Sequence, residues 1–323
     1  TLDAANTVIV YVNDNGSLGT QVRAPFDPFR AKGTAYQTGV WTPMVVAGPI
    51  VKAPSEEVPA MVNIADLYEL IGNIGGIYVH GKNPRTIDSV TMLPYFKDVN
   101  TPSIRQYNFT HVGPNIQANR GMNGPCQFST GSCSQIPVTK SVCEDNGGFW
   151  FGEGNEGSYT TTDARDSSQT VTMPVPTEGF KYCCQVQKWV VDHNGVPFNV
   201  LPETSIGVRD LSGYKLVRNE MNDYDVDTNS CVPNAQYNEL YTVDEGDPPL
   251  IDRSNRLIPT PYTAEEQAKF DELTSYMDNT LASDPDCLAE GDGNDDGVVN
   301  VEDLKNYFRM VKLTKGSSWY DVN

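Results

Sequence analysis

Residues 292 to 303 read Asp-Gly-Asn-Asp-Asp-Gly-Val-Val-Asn-Val-Glu-Asp, an alternation of oxygen donors around a glycine. On a twelve-position calcium loop this places Asp292 at position 1, Asn294 at 3, Asp296 at 5, Gly297 at 6, the Val298 carbonyl at 7, Asn300 at 9 and Asp303 at 12. A hard cation takes six or seven oxygens at about 2.3–2.6 Å, and alternate residues supply them only if the loop turns tightly. Gly297 permits the turn because it adopts positive φ at no steric cost. Leu304, Tyr307, Phe308 and Val311 then follow at helical spacing, so an exit helix is expected. Three carboxylates, Asp292, Asp296 and Asp303, predict an affinity on the order of 10⁻⁵ to 10⁻³ M. Such a site stays filled outside a cell and largely empty at resting cytosolic calcium.

Other candidate chemistry is weaker. Asp223-Tyr-Asp225-Val-Asp227-Thr-Asn229 sets carboxylates at alternate positions, but Thr228 stands where a glycine belongs, so an exposed acidic turn is expected rather than a second calcium site. Gly76 to Asn83 comes close to a phosphate-binding loop; Asn83 replaces the hydroxyl residue and Pro84 blocks the helix that must follow. His80, His111 and His193 are scattered, and neither a zinc-protease helix motif nor a serine nucleophile elbow occurs. No catalytic residue is therefore assigned. A carboxylate pair for glycoside hydrolysis can come from distant strands and is not excluded. Trp41, Trp150, Trp189 and Trp319 are either core residues or platforms for sugar rings. Asn15-Gly-Ser17 and Asn108-Phe-Thr110 are glycosylation-type sequons.

The elements that must position these residues belong to an acidic chain of 323 residues with formal net charge −19. That charge disfavours nucleic acid and anionic membrane surfaces as partners. The longest apolar run, Thr7 to Val12, is far too short to span a bilayer, so no membrane insertion is expected, and Thr1 without an initiator Met reads as a processed start. Five of seven cysteines crowd into residues 126 to 184 without a CxxC, which fits disulfides in an oxidising compartment better than zinc. Cys183 and Cys184, expected in a strand, point to opposite faces and need different partners.

Up to residue 257, short apolar runs broken by Gly, Pro, Asn and Asp predict a mainly β fold, an antiparallel sandwich- or barrel-like body with a disulfide-braced segment over 121–184. Strands are expected at Thr7–Val12, Val40–Val46, Ile77–His80, Thr91–Phe96, Arg105–Val112, Thr170–Pro174, Tyr182–Val191 and Leu240–Val243. One helix interrupts them, started by Asn63, ended before Gly72 and burying Ile64, Leu67, Leu70 and Ile71. The run Thr7 to Val12 lacks polar alternation, so both its faces require burial: it is an ordinary central strand, or one donated to a neighbouring subunit. A second, small helical module spans 258–323. Thr263 and Glu266 form a capping box, and Phe270, Leu273, Met277 and Leu281 share a face of the helix it starts.

The run Gly291 to Leu304 resembles the first repeat of the dockerin family, including Asp303 in place of the usual EF-hand glutamate. Dockerins carry two repeats, and Asp321 and Asn323 match positions 1 and 3 of a second loop, which implies that the module continues beyond residue 323. The resemblance implies bound calcium and covers about 287–323. Dockerins bind cohesin modules through a Ser/Thr pair after the position-9 Asn; Val301 and Glu302 stand there, so cohesin binding is not carried over. Gly124-Pro-Cys126, Gly131-Ser-Cys133, Cys143 and Gly147 to Gly154 are similar to a Cys/Gly module of secreted bacterial proteins with dockerin-like tails. Its closing Cys is absent after Gly154, with Cys183 or Cys184 able to stand in.

The residues together point to a secreted, non-catalytic, calcium-stabilised structural protein at the cell surface or in a self-assembling extracellular filament, associating through Thr7 to Val12. The alternative is a dockerin-bearing carbohydrate-active enzyme or carbohydrate-binding protein, with glycans as partners.

Overall fold

The computed structural model describes residues 5–24, 26–52, 54–80, 87–113, 124–128, 131–134, 139–243, 256–257 and 261–283. In chain order the first elements are β1 (Ile9–Val12), α1 (Gln37–Val40), β2 (Met44–Ala47), α2 (Asp66–Ile74), α3 (Leu93–Lys97) and β3 (Tyr107–Val112). The disulfide-rich stretch follows with β4 (Cys126–Gln127), β5 (Ser132–Ser134), α4 (Lys140–Asp145), β6 (Phe149–Trp150), β7 (Ser158–Asp163), β8 (Asp166–Pro174), α5 (Cys183–Asp192) and β9 (Asn199–Val200). The chain continues with β10 (Thr204–Asp210), β11 (Tyr214–Asp225), β12 (Ser230–Thr242), β13 (Arg256–Leu257) and α6 (Ala264–Ala282). It divides into two compact units, Thr1–Leu273 and Thr274–Asn323.

The fold is mainly β, and the described strands form four sheets. The largest has the order β13-β12-β11-β10-β3, antiparallel throughout. Its hairpin from β10 to β11 closes at Gly213, whose φ of 87° favours glycine. Asp210 Oδ1 accepts from Tyr214 N at 2.9 Å across that turn. The strands Thr204–Asp210 and Tyr214–Asp225 are absent from the sequence expectation. Lys215 and Arg218 are buried within β11, so the alternation that marks a half-exposed strand is lost.

β1 and β2 pair antiparallel, Ile9 opposite Ala47 and Val12 opposite Met44, into a two-stranded ribbon. Val10 and Met44 face inward onto Leu70, Met92 and Tyr95. Ile9, Tyr11 and Val45 face solvent. The non-alternating run is thus half satisfied: one face is buried and the other is open.

Several expected strands are helices or loops. Val40–Val46 is a strand only from Met44; Gln37–Val40 is the helical turn α1. Thr91–Phe96 becomes α3, because Pro94 in the first turn has the φ a helix start needs and no amide to lose there. Tyr182–Val191 is α5: Gln185 Oε1 accepts from the amides of Lys181 and Tyr182, at 2.9 and 3.0 Å, and Cys183, Val186 and Val190 return to one buried face. Cys183 and Cys184 still take different partners, since successive helical side chains lie about 100° apart. Ile77–His80 forms no strand.

The expected helix at Asn63 is present as α2. Asn63 Oδ1 accepts from Ala65 N at 3.0 Å, but Gly72 lies inside the helix, where an added Cβ would fall 2.2 Å from Val79 Cγ1. Its buried face differs from the expected one: Leu70 is buried and Leu67 partly so, whereas Ile64 and Ile71 are exposed and Asp66 and Glu69 are buried instead. Asp66 is satisfied by Arg105, Val90 N and Asn63 N. At α6 the capping box forms as expected: Thr263 N donates to Glu266 Oε2 at 2.8 Å, and Glu266 N to Thr263 Oγ1 at 3.2 Å.

Candidate functional site

Three disulfides brace the described chain: Cys126–Cys143, Cys133–Cys183 and Cys184–Cys231. Three such bonds belong to a chain that folds in an oxidising compartment outside the cytoplasm. Cys183 pairs with Cys133 of the Gly/Cys segment. Around these bonds Phe149, Phe151 and Tyr159 pack with ring centroids 4.8 to 5.3 Å apart, and Trp189 joins the same core. Trp150 is buried against Cys126 and Cys143. Two of the four tryptophans are thus core residues.

Trp41 is different. It is 48% exposed and stands at a cleft of about 810 Å³ that opens between the β1–β2 ribbon and β3, the edge strand of the large sheet. The cleft is built by segments far apart in sequence. Asp14 and Asn15 follow the carboxyl end of β1, Lys32 precedes α1, Asn63 precedes α2, and His111 comes from β3. Lys32 Nζ lies 3.9 Å from Asp14 Oδ2, a loose, exposed pair.

Backbone bonds fix this rim. Gly16 N donates to Gly39 O at 2.9 Å, Ser17 N to Thr38 O at 3.0 Å and Lys32 N to Ser17 O at 2.8 Å. Gly16 is required by the close approach, since a Cβ there would sit 2.1 Å from Thr38 O. Behind the rim, buried Lys215 donates from Nζ to Gln37 Oε1 at 3.1 Å. The cleft combines apolar walls from Val12, Met44, Val58 and Phe109 with amide, carboxylate and ammonium groups and one open indole, a mixture that suits the apolar faces and the hydroxyls of a sugar ring.

The sequon at Asn108 is spent on structure: its Nδ2 donates to Val62 O at 2.8 Å, and its Oδ1 accepts from Asn63 Nδ2. Asn15 lies at the cleft. The acidic run at Asp223 ends β11 and turns into β12, with Asp225 Oδ1 accepting from Asp227 N and Thr228 N, as expected of a turn. Of the phosphate-loop-like run, Gly76 to His80 are described; His80 Nε2 is 3.0 Å from Glu69 Oε2.

The calcium-loop residues Asp292, Asn294, Asp296, Val298, Asn300 and Asp303, and Asp321 and Asn323 of the second loop, lie outside the described residues, as does Trp319. Among the described residues no cluster of three or more His, Cys, Asp or Glu is arranged to hold a metal ion, and no helix is long and apolar enough to cross a membrane. The cleft is what sequence reasoning missed. Trp41 was in view as a sugar platform, but no linear motif joins it to Asp14, Lys32 and His111. No protein-family model, curated protein or solved structure matches the chain.

Proposed function

We propose that this is a secreted, carbohydrate-directed protein, stabilised by calcium, that holds a glycan in the cleft beside Trp41. The observation that carries this reading is the half-exposed indole lining a cleft of mixed polar and apolar walls, in a chain where Trp150 is buried and Trp189 packs against the core. An exposed indole ring costs apolar hydration and is worth keeping where a sugar face covers it. Asp14, Asn15 and Lys32 offer hydrogen bonds to hydroxyls or to acidic substituents on the ring. The donor set of the C-terminal loop, all hard oxygens, suits calcium, with Asp292, Asn294, Asp296, Val298, Asn300 and Asp303 as its ligands.

A glycan array paired with a hydrolysis screen tests the reading. Trp41→Ala should lower glycan affinity at least tenfold while leaving the melting temperature nearly unchanged. Absence of any glycan binding by the intact chain would refute it. Chelator should lower the melting temperature of the C-terminal module, and an unchanged melt with no calorimetric uptake at millimolar calcium would remove calcium from the account.

The second reading is a self-associating structural subunit. It is favoured by a specific feature, the exposed face of Ile9, Tyr11 and Val45 on a ribbon of two strands. A two-stranded ribbon is marginal alone and gains from added strands. Filaments seen by electron microscopy, lost on removal of residues 1 to 14, would support it.

A further inference from the structure

The three disulfides are not equivalent. Cys126, Cys133, Cys143 and Cys183 are fully buried, and Cys184 nearly so, whereas Cys231 is partly exposed. Cys231 lies on the far arm of the β11–β12 hairpin, beyond an irregularity between Met221 and Asp223 where the register shifts. Past that point the arm pairs only Asp223 with Val232, Tyr224 with Cys231 and Asp225 with Ser230. A bulge redirects a strand and interrupts its ladder. The arm is held to α5 by Cys184–Cys231, by Asn229 Nδ2 donating to Asp192 Oδ1 at 3.1 Å and by Lys188 Nζ approaching Asn229 Oδ1 at 3.5 Å. Apart from the disulfide, these ties to α5 are exposed polar contacts; the arm's other anchors are the buried Tyr224, whose hydroxyl donates to Asn229 Oδ1 at 2.9 Å, and Asn222 Nδ2 donating to Glu203 Oε1 at 2.7 Å at its base.

We propose that Cys184–Cys231 is a reducible latch: a dithiol opens it selectively and frees the hairpin arm of residues 222–234 from α5, while the other two disulfides and the rest of the fold persist. Of the two cysteines, Cys231 is the more exposed residue, Cys184 being buried, so attack is assigned to Cys231. A dithiol's thiolate attacks Cys231 Sγ, the S–S bond breaks, and its electron pair leaves on Cys184 Sγ, which takes a proton from water. The reagent's second sulfur then displaces Cys231 Sγ from the mixed disulfide. The dithiol departs as a cyclic disulfide, and the protein has gained two electrons and two protons as two thiols. The partner class is a dithiol reductant, small or protein-borne.

The test is graded reduction of the intact chain by dithiothreitol without denaturant, followed by alkylation and peptide mass spectrometry. Cys184 and Cys231 should be labelled at least tenfold faster than Cys126, Cys133, Cys143 and Cys183. Amide exchange over 222–234 should rise with that labelling, and that over 204–219 should not. Equal or faster labelling of either buried pair overturns the latch, as does unchanged exchange in 222–234 once Cys184 and Cys231 are labelled. A C184S/C231S double variant gives an independent readout: its arm should exchange rapidly without any reductant, and protection equal to the parent chain would also overturn the proposal.

Discussion

The residues up to 113 and those from 124 to 243 solve the same problem in different ways. In the first stretch Ile9, Tyr11 and Val45 on the β1–β2 ribbon, Tyr68 and Ile71 on α2, and Trp41 and Tyr78 in loops are exposed. In the second, Phe151, Tyr159, Met173, Val186 and Val190 are buried together, and three disulfides tie the elements around them. One region has closed its core and locked it covalently. The other leaves more of its large apolar side chains exposed, although Leu211, Val226 and Tyr237 of the second region are exposed too. Function is therefore sought in the first region and durability in the second.

The strongest test of that division removes a lock. Cys133–Cys183 joins residues 50 apart in sequence. A loop of that length, opened in the unfolded chain, is worth about 4 kcal/mol in the chain-entropy model. C133A/C183A should lower the denaturation midpoint by a corresponding amount in chemical unfolding. Amide exchange should rise first in β5, β9 and α5, with the β1–β2 ribbon little affected. A uniform rise across residues 5–113 would erase the distinction between the two regions.

The regions meet at a buried polar junction, and its removal should have the next largest effect. Tyr36 and Tyr241 both donate to Glu239 Oε2, at 2.6 and 2.5 Å. Arg30 Nη1 donates to the Tyr241 hydroxyl at 2.8 Å, and its guanidinium lies 4.5 Å from the Tyr36 ring centroid. Asn219 Nδ2 donates to Tyr36 at 2.7 Å, and Ser205 Oγ, bonded to Asn219, accepts from Ala35 N. Burial first, and then the Glu239 carboxylate, hold both phenols well above their ordinary range. Glu239→Gln replaces a charged acceptor of two hydroxyls and should cost about 2–3 kcal/mol by denaturant titration. In ultraviolet titration the two phenols should stay protonated past the ionisation of exposed tyrosines, and the variant should lower their onset.

What the sequence made legible was local. The capping box at Thr263 and Glu266 lies within four residues, and the capping bonds form as expected. The odd pairing of adjacent Cys183 and Cys184 followed from geometry that helix and strand share. What failed was non-local. Tyr182–Val191 is expected as a strand, yet the start given by Gln185 and the buried 3.6-residue period make a helix. Around α2, Ile64 and Ile71 are exposed while Asp66 is buried on its bonds to Arg105, a residue distant in sequence that no local period points to. The cleft draws on five separate segments, so no window of sequence contains it.

A smaller, pH-dependent effect tests how α6 is joined to the large sheet. Lys269 Nζ donates to Asp210 Oδ2 at 2.8 Å and to Glu272 Oε2 at 3.0 Å, and the Tyr107 hydroxyl donates to Glu272 Oε1 at 2.7 Å. Burial alone would raise the Asp210 carboxyl, but its bonds to Lys269, Ser212 and the Tyr214 amide outweigh this and hold it below the ordinary value. Glu272 is lowered by the Tyr107 hydroxyl and Lys269. Groups depressed on folding contribute stability above their unfolded pKa, near pH 4, and lose it as pH falls through the folded values. The chain should therefore lose stability on acidification below about pH 4. Asp210→Asn should cost about 1–2 kcal/mol at pH 7 and flatten that acid limb; an unchanged acid limb would remove Asp210 from the account.

The smallest expected change in stability concerns the open face of the ribbon. Tyr11 is 60% exposed and Ile9 53%, so truncating either removes little buried area. Tyr11→Ser should shift stability by no more than about 0.5 kcal/mol, whereas Phe151→Ala in the closed core should cost about 3–5 kcal/mol. If the open face is where the chain meets a partner, I9S/Y11S should leave the melt intact and reduce association in sedimentation velocity. A large loss of stability from that pair would mean that the face is already covered within the chain, and the contrast between an open and a closed region would fail at the residues that define it.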